Sequence, residues 1–311
     1  MMTAPFMGEI DTQHLPFGYG EAPFVLSSAH FVRLAEQCHY RLQGDRVLFG
    51  LRAAATDAPL GQWLNAITVR EQTLDYEHMR CLIGIWDRKH HKIAVFNGST
   101  VPHIKNVQKQ RQYPLKKISN QLSQGLYHYF VGAHEPDGRP NEEGAFRLTR
   151  MIPVPAWRDF GEAVMLDSCV PNDHIHAAGS EATDFLSAGC QVISGFHQTP
   201  MPTGQYQQFR ILAGQSAVPS ELEIHLPYQY LLMHVRHLSA IAQGWQADRL
   251  LMGSEGHEVR VLQETLIRQG HLAEPLIDKG VMNGHTVKAV YDRQLIENQV
   301  ADGIHRLEFG G

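Results

Sequence analysis

A chain of 311 residues, 43% hydrophobic and 19% charged with a formal net charge of −5, is long enough for one large or two modest domains. No basic block stands against the acidic balance, which argues against nucleic acid as a partner, and no stretch approaches the ~20 apolar residues of a membrane span. The four cysteines (Cys38, Cys81, Cys169, Cys190) lack Cys-x-x-Cys spacing, so neither a zinc ribbon nor a thioredoxin-like motif is indicated, while nineteen histidines keep a metal or pH-responsive site open.

Residues 1 to about 25, rich in Gly, Pro and aromatics around Pro16-Phe17-Gly18-Tyr19-Gly20, read as an irregular arm packed on the domain. Ser27 or Ser28 caps an expected helix through Phe31, Leu34, Ala35 and Cys38, whose apolar positions recur at helical spacing. Arg46–Arg52 reads as a strand. Cys81–Trp86, a polar turn and Ile93–Phe96 read as a β-hairpin, with Asn97–Thr100 as the next turn. Lys105–Gln124 is strongly polar and is expected as a surface insertion or lid. Leu126–Val131 alternates into a strand, and Tyr206–Leu212 is expected to close the sheet as another. From about 227 to 247, Leu231, Val235, Leu238, Ala242 and Trp245 share one face at helical spacing, which predicts a connecting helix.

The chemistry concentrates in Asp173-His174-Ile175-His176-Ala177-Ala178-Gly179 and Ser187-Ala188-Gly189-Cys190-Gln191-Val192-Ile193. Alternation on a short strand puts His174 and His176 on one face. A thiol with an ordinary pKa near ~8.5 needs a base or cation within hydrogen-bond reach to act as a nucleophile, and histidine supplies one. Gly189 permits a sharp turn and leaves peptide N–H groups around Cys190 to face a developing oxyanion. A Cys169–Cys190 disulfide would silence that thiol.

This pattern resembles the active-site signature of YkuD-type L,D-transpeptidases, a His followed after a gap by Ser/Thr-His-Gly-Cys. The resemblance implies that Cys190 is the acyl-forming nucleophile, His176 its base, and Ser187 and Gly189 the turn that shapes the site. His174 would orient His176 or bind substrate. The run ending Gly144-Ala145-Phe146-Arg147-Leu148, with Pro140 before it, resembles the family's substrate-side Thr-Pro-x-Gly-x-Phe-x-Ile element, which brings Gly144 and Phe146 to the substrate. Ala188 stands where the family usually has a second His, and Gln191-Val192 replaces its apolar-Arg or apolar-Asn pair. Carboxylate binding is therefore expected from elsewhere, and Arg210 is the candidate because a guanidinium pairs bidentately with a carboxylate.

Near the end, Val259, Leu262-Gln263, Leu266 and Gly270, then Asp278, Gly280, Gly284, Thr286, Ala289-Val290 and Gln294, resemble the small three-helix peptidoglycan-binding module. Together the two resemblances imply an α+β protein: an arm (1–30), a β-rich L,D-transpeptidase-like catalytic domain (31–220), a helical connector (221–250) and a small all-α peptidoglycan-binding-like domain (251–311). The implied activity is cysteine-dependent acyl transfer on peptidoglycan stem peptides, as transpeptidase, carboxypeptidase or endopeptidase, with no cofactor or metal. Met1–Gly20 has neither the basic start nor the apolar run of a secretory signal, so delivery to the periplasm or wall by a non-classical route is expected. A toxin-like effector of that kind would have an immunity protein or a secretion-apparatus component as partner. A second reading is a zinc peptidase of the same wall, because His176-x-x-Gly179 with Ala182-x-Asp184 loosely resembles a metallopeptidase motif and His225, His234 and His237 are available as further ligands. A third is a non-catalytic wall-binding protein with Cys190 in its core.

Overall fold

A computed structural model describes residues 10–16, 22–134, 142–161, 163–198, 200–274, 276 and 278–307. In chain order the strands are β1 (Phe24–Ser27), β2 (Arg46–Arg52), β3 (Ala54–Thr56), β4 (Ala66–Glu71), β5 (Cys81–Asp87), β6 (Lys92–Ser99), β7 (Gln121–Leu122), β8 (Gly125–His134), β9 (Glu142–Leu148), β10 (Val154–Asp159), β11 (Val164–Cys169), β12 (Ile175–Ala177), β13 (Gln191–Ile193), β14 (Pro227–His234), β15 (Arg249–Leu250) and β16 (His305–Arg306). Among the described residues the α-helices are α1 (Ser28–Gln37), α2 (Ile104–Gln112), α3 (Gly204–Ala213), α4 (Val235–Ala242), α5 (His257–Arg268) and α6 (Gly284–Ile296). None of them is long and apolar enough to cross a membrane.

Eight strands close into a barrel in the order β12-β13-β6-β5-β2-β14-β8-β9. The hairpin of β5 and β6 pairs Cys81 with Gly98 and Ile85 with Ala94. Because both faces of these strands are covered, they read as nearly continuous apolar runs. Alternate residues divide between two cores. Leu48, Ile83, Phe96, Tyr127, Phe146, Ile175 and Val192 belong to one. Val47, Phe49, Leu82, Trp86 and Val95 belong to the other, which α1 and α4 cover. Phe31 of α1 lies on Phe49 and Trp86, with ring centroids 4.7 and 5.3 Å apart. Burying such a ring stabilises the fold by roughly 1.5–3 kcal/mol.

The described part of the amino-terminal arm is docked. Asp11 pairs with Arg52 at 2.7 Å with both groups buried, and Arg52 also donates to the Leu122 carbonyl at 2.5 Å. The remainder of the Pro16–Gly20 run lies outside the described residues, apart from Pro16 itself.

Two elements differ from expectation. Tyr206–Leu212 lies in helix α3 rather than in a strand. Its buried residues Tyr206, Phe209, Arg210 and Ala213 fall at helical spacing, and Gly214 stops it in the left-handed region at φ 100°. The expected connector helix begins only at Val235. Pro227–His234 is a barrel strand, parallel to β2 and antiparallel to β8. The stretch 221–250 is thus partly central to the sheet.

The carboxy-terminal segment also differs from a separate three-helix unit. Its described residues form α5, α6 and a two-stranded β15/β16 ribbon. Val259, Leu262, Leu266, Val287 and Val290 share one core with the barrel. Tyr291 of α6 meets Trp157 of β10 edge-on at 5.7 Å. Two buried glutamines hold its loops. Gln263 donates to the Val281 carbonyl at 3.0 Å and accepts from Gly280 N at 2.8 Å. Gln294 accepts from the amides of Asp302 and Gly303 at 3.1 and 2.9 Å.

Candidate functional site

Strands β12 and β13 run parallel, pairing His176 with Val192, so the histidine strand and the strand after Cys190 lie side by side. Cys190 sits at the entry to β13, 8% exposed, on the wall of a cleft of about 1110 Å³. No disulfide joins it to Cys169; both are thiols.

The turn before Cys190 is built by its own side chains. Ser187 Oγ accepts from Gly189 N at 3.1 Å and donates to the Cys190 carbonyl at 2.8 Å. The Gly189 amide expected to face an oxyanion is therefore engaged in holding the turn. Glycine is required at 189 because a β-carbon there would lie 2.8 Å from Asn120 Nδ2 and 3.0 Å from the Asn120 carbonyl, and closer still to the Asp173 carboxyl.

The polar stretch 105–124, expected as an insertion or lid, straps this turn. Asn106 Nδ2 donates to the Ser187 carbonyl at 2.8 Å, and Asn120 N donates to the Ala188 carbonyl at 2.9 Å. Asn120 Nδ2 also donates to Asp173, whose carboxyl burial pushes up to about 7 against the opposing pull of that bond and of Arg158 and Arg52.

Around the sulfur, Cys190 Sγ donates to the Asn172 carbonyl at 3.2 Å and the His174 amide points at Sγ from 3.4 Å. His176 Nδ1 lies 2.8 Å from the Ala177 carbonyl, a bond that places the proton on Nδ1 and leaves the lone pair on Nε2. A third imidazole completes the cluster. His134, the last residue of β8, stacks on His176 with ring centroids 4.1 Å apart and meets His174 edge-on at 5.4 Å. One donor atom each from His134, His176 and Cys190 lies within 4.8 Å of the others.

All three imidazoles are held neutral. Burial, then His134, drives His176 well below the usual histidine range, with the Ala177 bond opposing. Burial, then His134, Arg147 and Arg150, lowers His174 to about 3. Burial, then His197 and Arg147, lowers His134 to about 4. Lys117, Arg147, Arg150 and Arg158 line the cleft, and Asp173 is the acidic side chain on its wall. The site thus offers a thiol, adjacent neutral bases and a positive surround.

No family model, curated protein or solved structure matches the chain.

The other expected substrate residues lie elsewhere. Arg210 is fully buried, pairs with Glu223 at 2.9 Å and donates to the Gly144 carbonyl. Its charge is consumed inside the fold. Gly144, at φ 79°, occupies the register shift between β8 and β9, and its carbonyl also accepts from Tyr206 Oη at 3.0 Å. Phe146 is core, edge-on to Phe209 at 5.4 Å and Tyr228 at 5.0 Å. Pro140 lies outside the described residues.

The ligands of the zinc-peptidase reading are not assembled. Asp184 is exposed and accepts from Ser180 Oγ at 2.8 Å. His225 is exposed against Phe130, and His234 caps α4 by accepting from Arg236 N at 3.2 Å. His237 is buried beside His14 at a ring distance of 5.1 Å.

His134 was not among the sequence candidates. The strand read over Leu126–Val131 continues to His134 across the register shift at Gly132/Ala133. A lone histidine at a strand end carries no periodic signal; its meaning comes from the β8–β9–β12 pairing.

Proposed function

We propose that this protein is a cysteine acyl-transfer enzyme of the L,D-transpeptidase kind, acting on carboxylate-rich peptidoglycan stem peptides. The observation that carries the reading is the approach of Cys190 Sγ and a His176 ring nitrogen to within 4.8 Å, with the imidazole oriented by the Ala177 carbonyl. In the first step the Cys190 S–H proton passes to His176 Nε2 and the thiolate attacks the peptide carbonyl carbon. The tetrahedral intermediate collapses with cleavage of the C–N bond, and the departing amine takes the proton from His176. The resulting thioester is attacked by water, giving hydrolysis, or by an amine, giving a cross-link. The incoming nucleophile's proton returns through His176 to Cys190 sulfur.

The basic lining suits an acidic peptide and offsets charge that develops on the carbonyl oxygen. Its histidines rest neutral, so His176 can receive the thiol proton, although the burial that keeps it neutral also makes it a weaker base. On this reading the carboxy-terminal segment adds affinity for the polymer, and the site of action is the bacterial periplasm or wall. A protein delivered there as an effector would be matched by an immunity partner.

Comparing wall-digest products from wild type, Cys190→Ala and chelator-treated protein tests the reading. Loss of products with Cys190→Ala, and their persistence after chelation, is the expected pattern. Loss after chelation with retention in Cys190→Ala would overturn it in favour of metal chemistry.

A further inference from the structure

We infer that His134, His176 and Cys190 form a binding site for a thiophilic divalent cation of the zinc class, and that the bound ion masks the cysteine. Two imidazoles and one thiol are the donor types that zinc takes from proteins. In a tetrahedral zinc site with Zn–S near 2.3 Å and Zn–N near 2.0 Å, neighbouring donors are about 3.5 Å apart. The three donors here lie within 4.8 Å of one another, so closing on an ion requires them to draw together and the stacked His134 and His176 rings to turn out of their near-parallel arrangement.

A separate observation points the same way. His134 Nδ1 is buried and has no hydrogen-bond partner among the described residues. A buried polar atom left without a partner is costly, and a metal ligand bond would satisfy it. The second ligand is oriented as metal-bound histidines commonly are. His176 Nδ1 is directed at a backbone carbonyl, which fixes the ring and presents Nε2 for ligation. His134, His176 and Cys190 all line the cleft, so a solvent molecule can supply a further, exchangeable ligand.

Binding exchanges the Cys190 S–H bond for an S–metal bond and releases one proton to solvent; no redox partner is needed. The ion takes up the sulfur lone pair and the His176 nitrogen required for acyl transfer. The site itself stands on geometry, whereas the consequence for catalysis rests on the thiol reading above.

The test is titration of chelator-stripped, dialysed full-length protein with Co2+ alone, followed by absorption. Expected are one equivalent taken up, a near-ultraviolet thiolate-to-cobalt charge-transfer band and visible bands of tetrahedral intensity. Cys190→Ser should abolish the charge-transfer band. His134→Gln, with its fold checked by circular dichroism, should weaken Co2+ binding by at least about tenfold. Absence of the band in folded wild type, its persistence in Cys190→Ser, or unchanged affinity in His134→Gln would overturn the site. Zn2+ should also slow alkylation of Cys190 by iodoacetamide, and an unchanged rate would overturn the masking. Failure of the thiol reading looks different: Cys190→Ser would retain wall activity while the wild-type cobalt band remained.

Discussion

Asp173→Asn tests whether the carboxyl beneath the Ser187–Cys190 turn is protonated in the folded protein at mildly acidic pH. Asp173 is 4% exposed, and burial raises its carboxyl from 3.8 to about 7. Between those values the folded state binds a proton that the unfolded state releases. Stability is therefore greatest below about 3.8 and falls as pH rises, by at most about 1.4 kcal/mol per pH unit, until the folded carboxyl has ionised near 7. Asparagine keeps the shape and removes this titration. The neighbouring histidines act with the opposite sign: with folded pKa values depressed, their contribution is present above about 6.5 and lost as pH falls. They are common to both proteins and largely cancel in the difference. Urea unfolding of wild type and Asp173→Asn from pH 5 to 8 should show wild type losing about 2 kcal/mol relative to the variant between pH 5 and 7, with little further change. A difference that is flat across this range would refute the assignment.

The same geometry sets three more outcomes. Gly189→Ala should cost about 1–3 kcal/mol of stability and most of the activity, because its β-carbon meets Asn120 and Asp173; thermal melts and initial rates check both. Arg210→Ala should destabilise the protein by about 3–5 kcal/mol by stranding buried Glu223, while KM under folding conditions stays near wild type. A raised KM without loss of stability would return Arg210 to substrate binding. Arg150→Gln, in the cleft, should raise KM for an acidic stem peptide more than it lowers kcat, and added salt should shrink the difference between variant and wild type.

Much of the fold was legible because local periodicity and tertiary environment agree. The β5–β6 hairpin is two apolar runs around a polar turn, and α1 and α5 carry helical stripes through Phe31 and Leu34 and through Val259, Leu262 and Leu266. Pro227–His234 was not legible. Tyr230–Met233 is buried on both faces between β2 and β8, so it lacks the alternation that marks a half-exposed strand, while the helical stripe of α4 begins immediately after it. The Tyr206–Ala213 helix was readable from the spacing of Tyr206, Phe209, Arg210 and Ala213, but its aromatic residues mimic a strand. At the site, the turn and strand bearing Cys190 and His176 could be read locally. The contributions of Asn106, Asn120 and His134 arise from segments distant in sequence, whose positions depend on strand pairing and loop packing.

Acyl transfer through Cys190 requires a covalent bond between the acyl group and its sulfur. Rapid-quench intact-mass spectrometry, with a stem tetrapeptide as donor and peptide mapping of the adduct, tests it most directly. A transient thioester is expected at Cys190, absent in Cys190→Ser and strongly diminished in His176→Gln. Peptide turnover by wild type with no adduct at any quench time, together with undiminished turnover by Cys190→Ser, would contradict it.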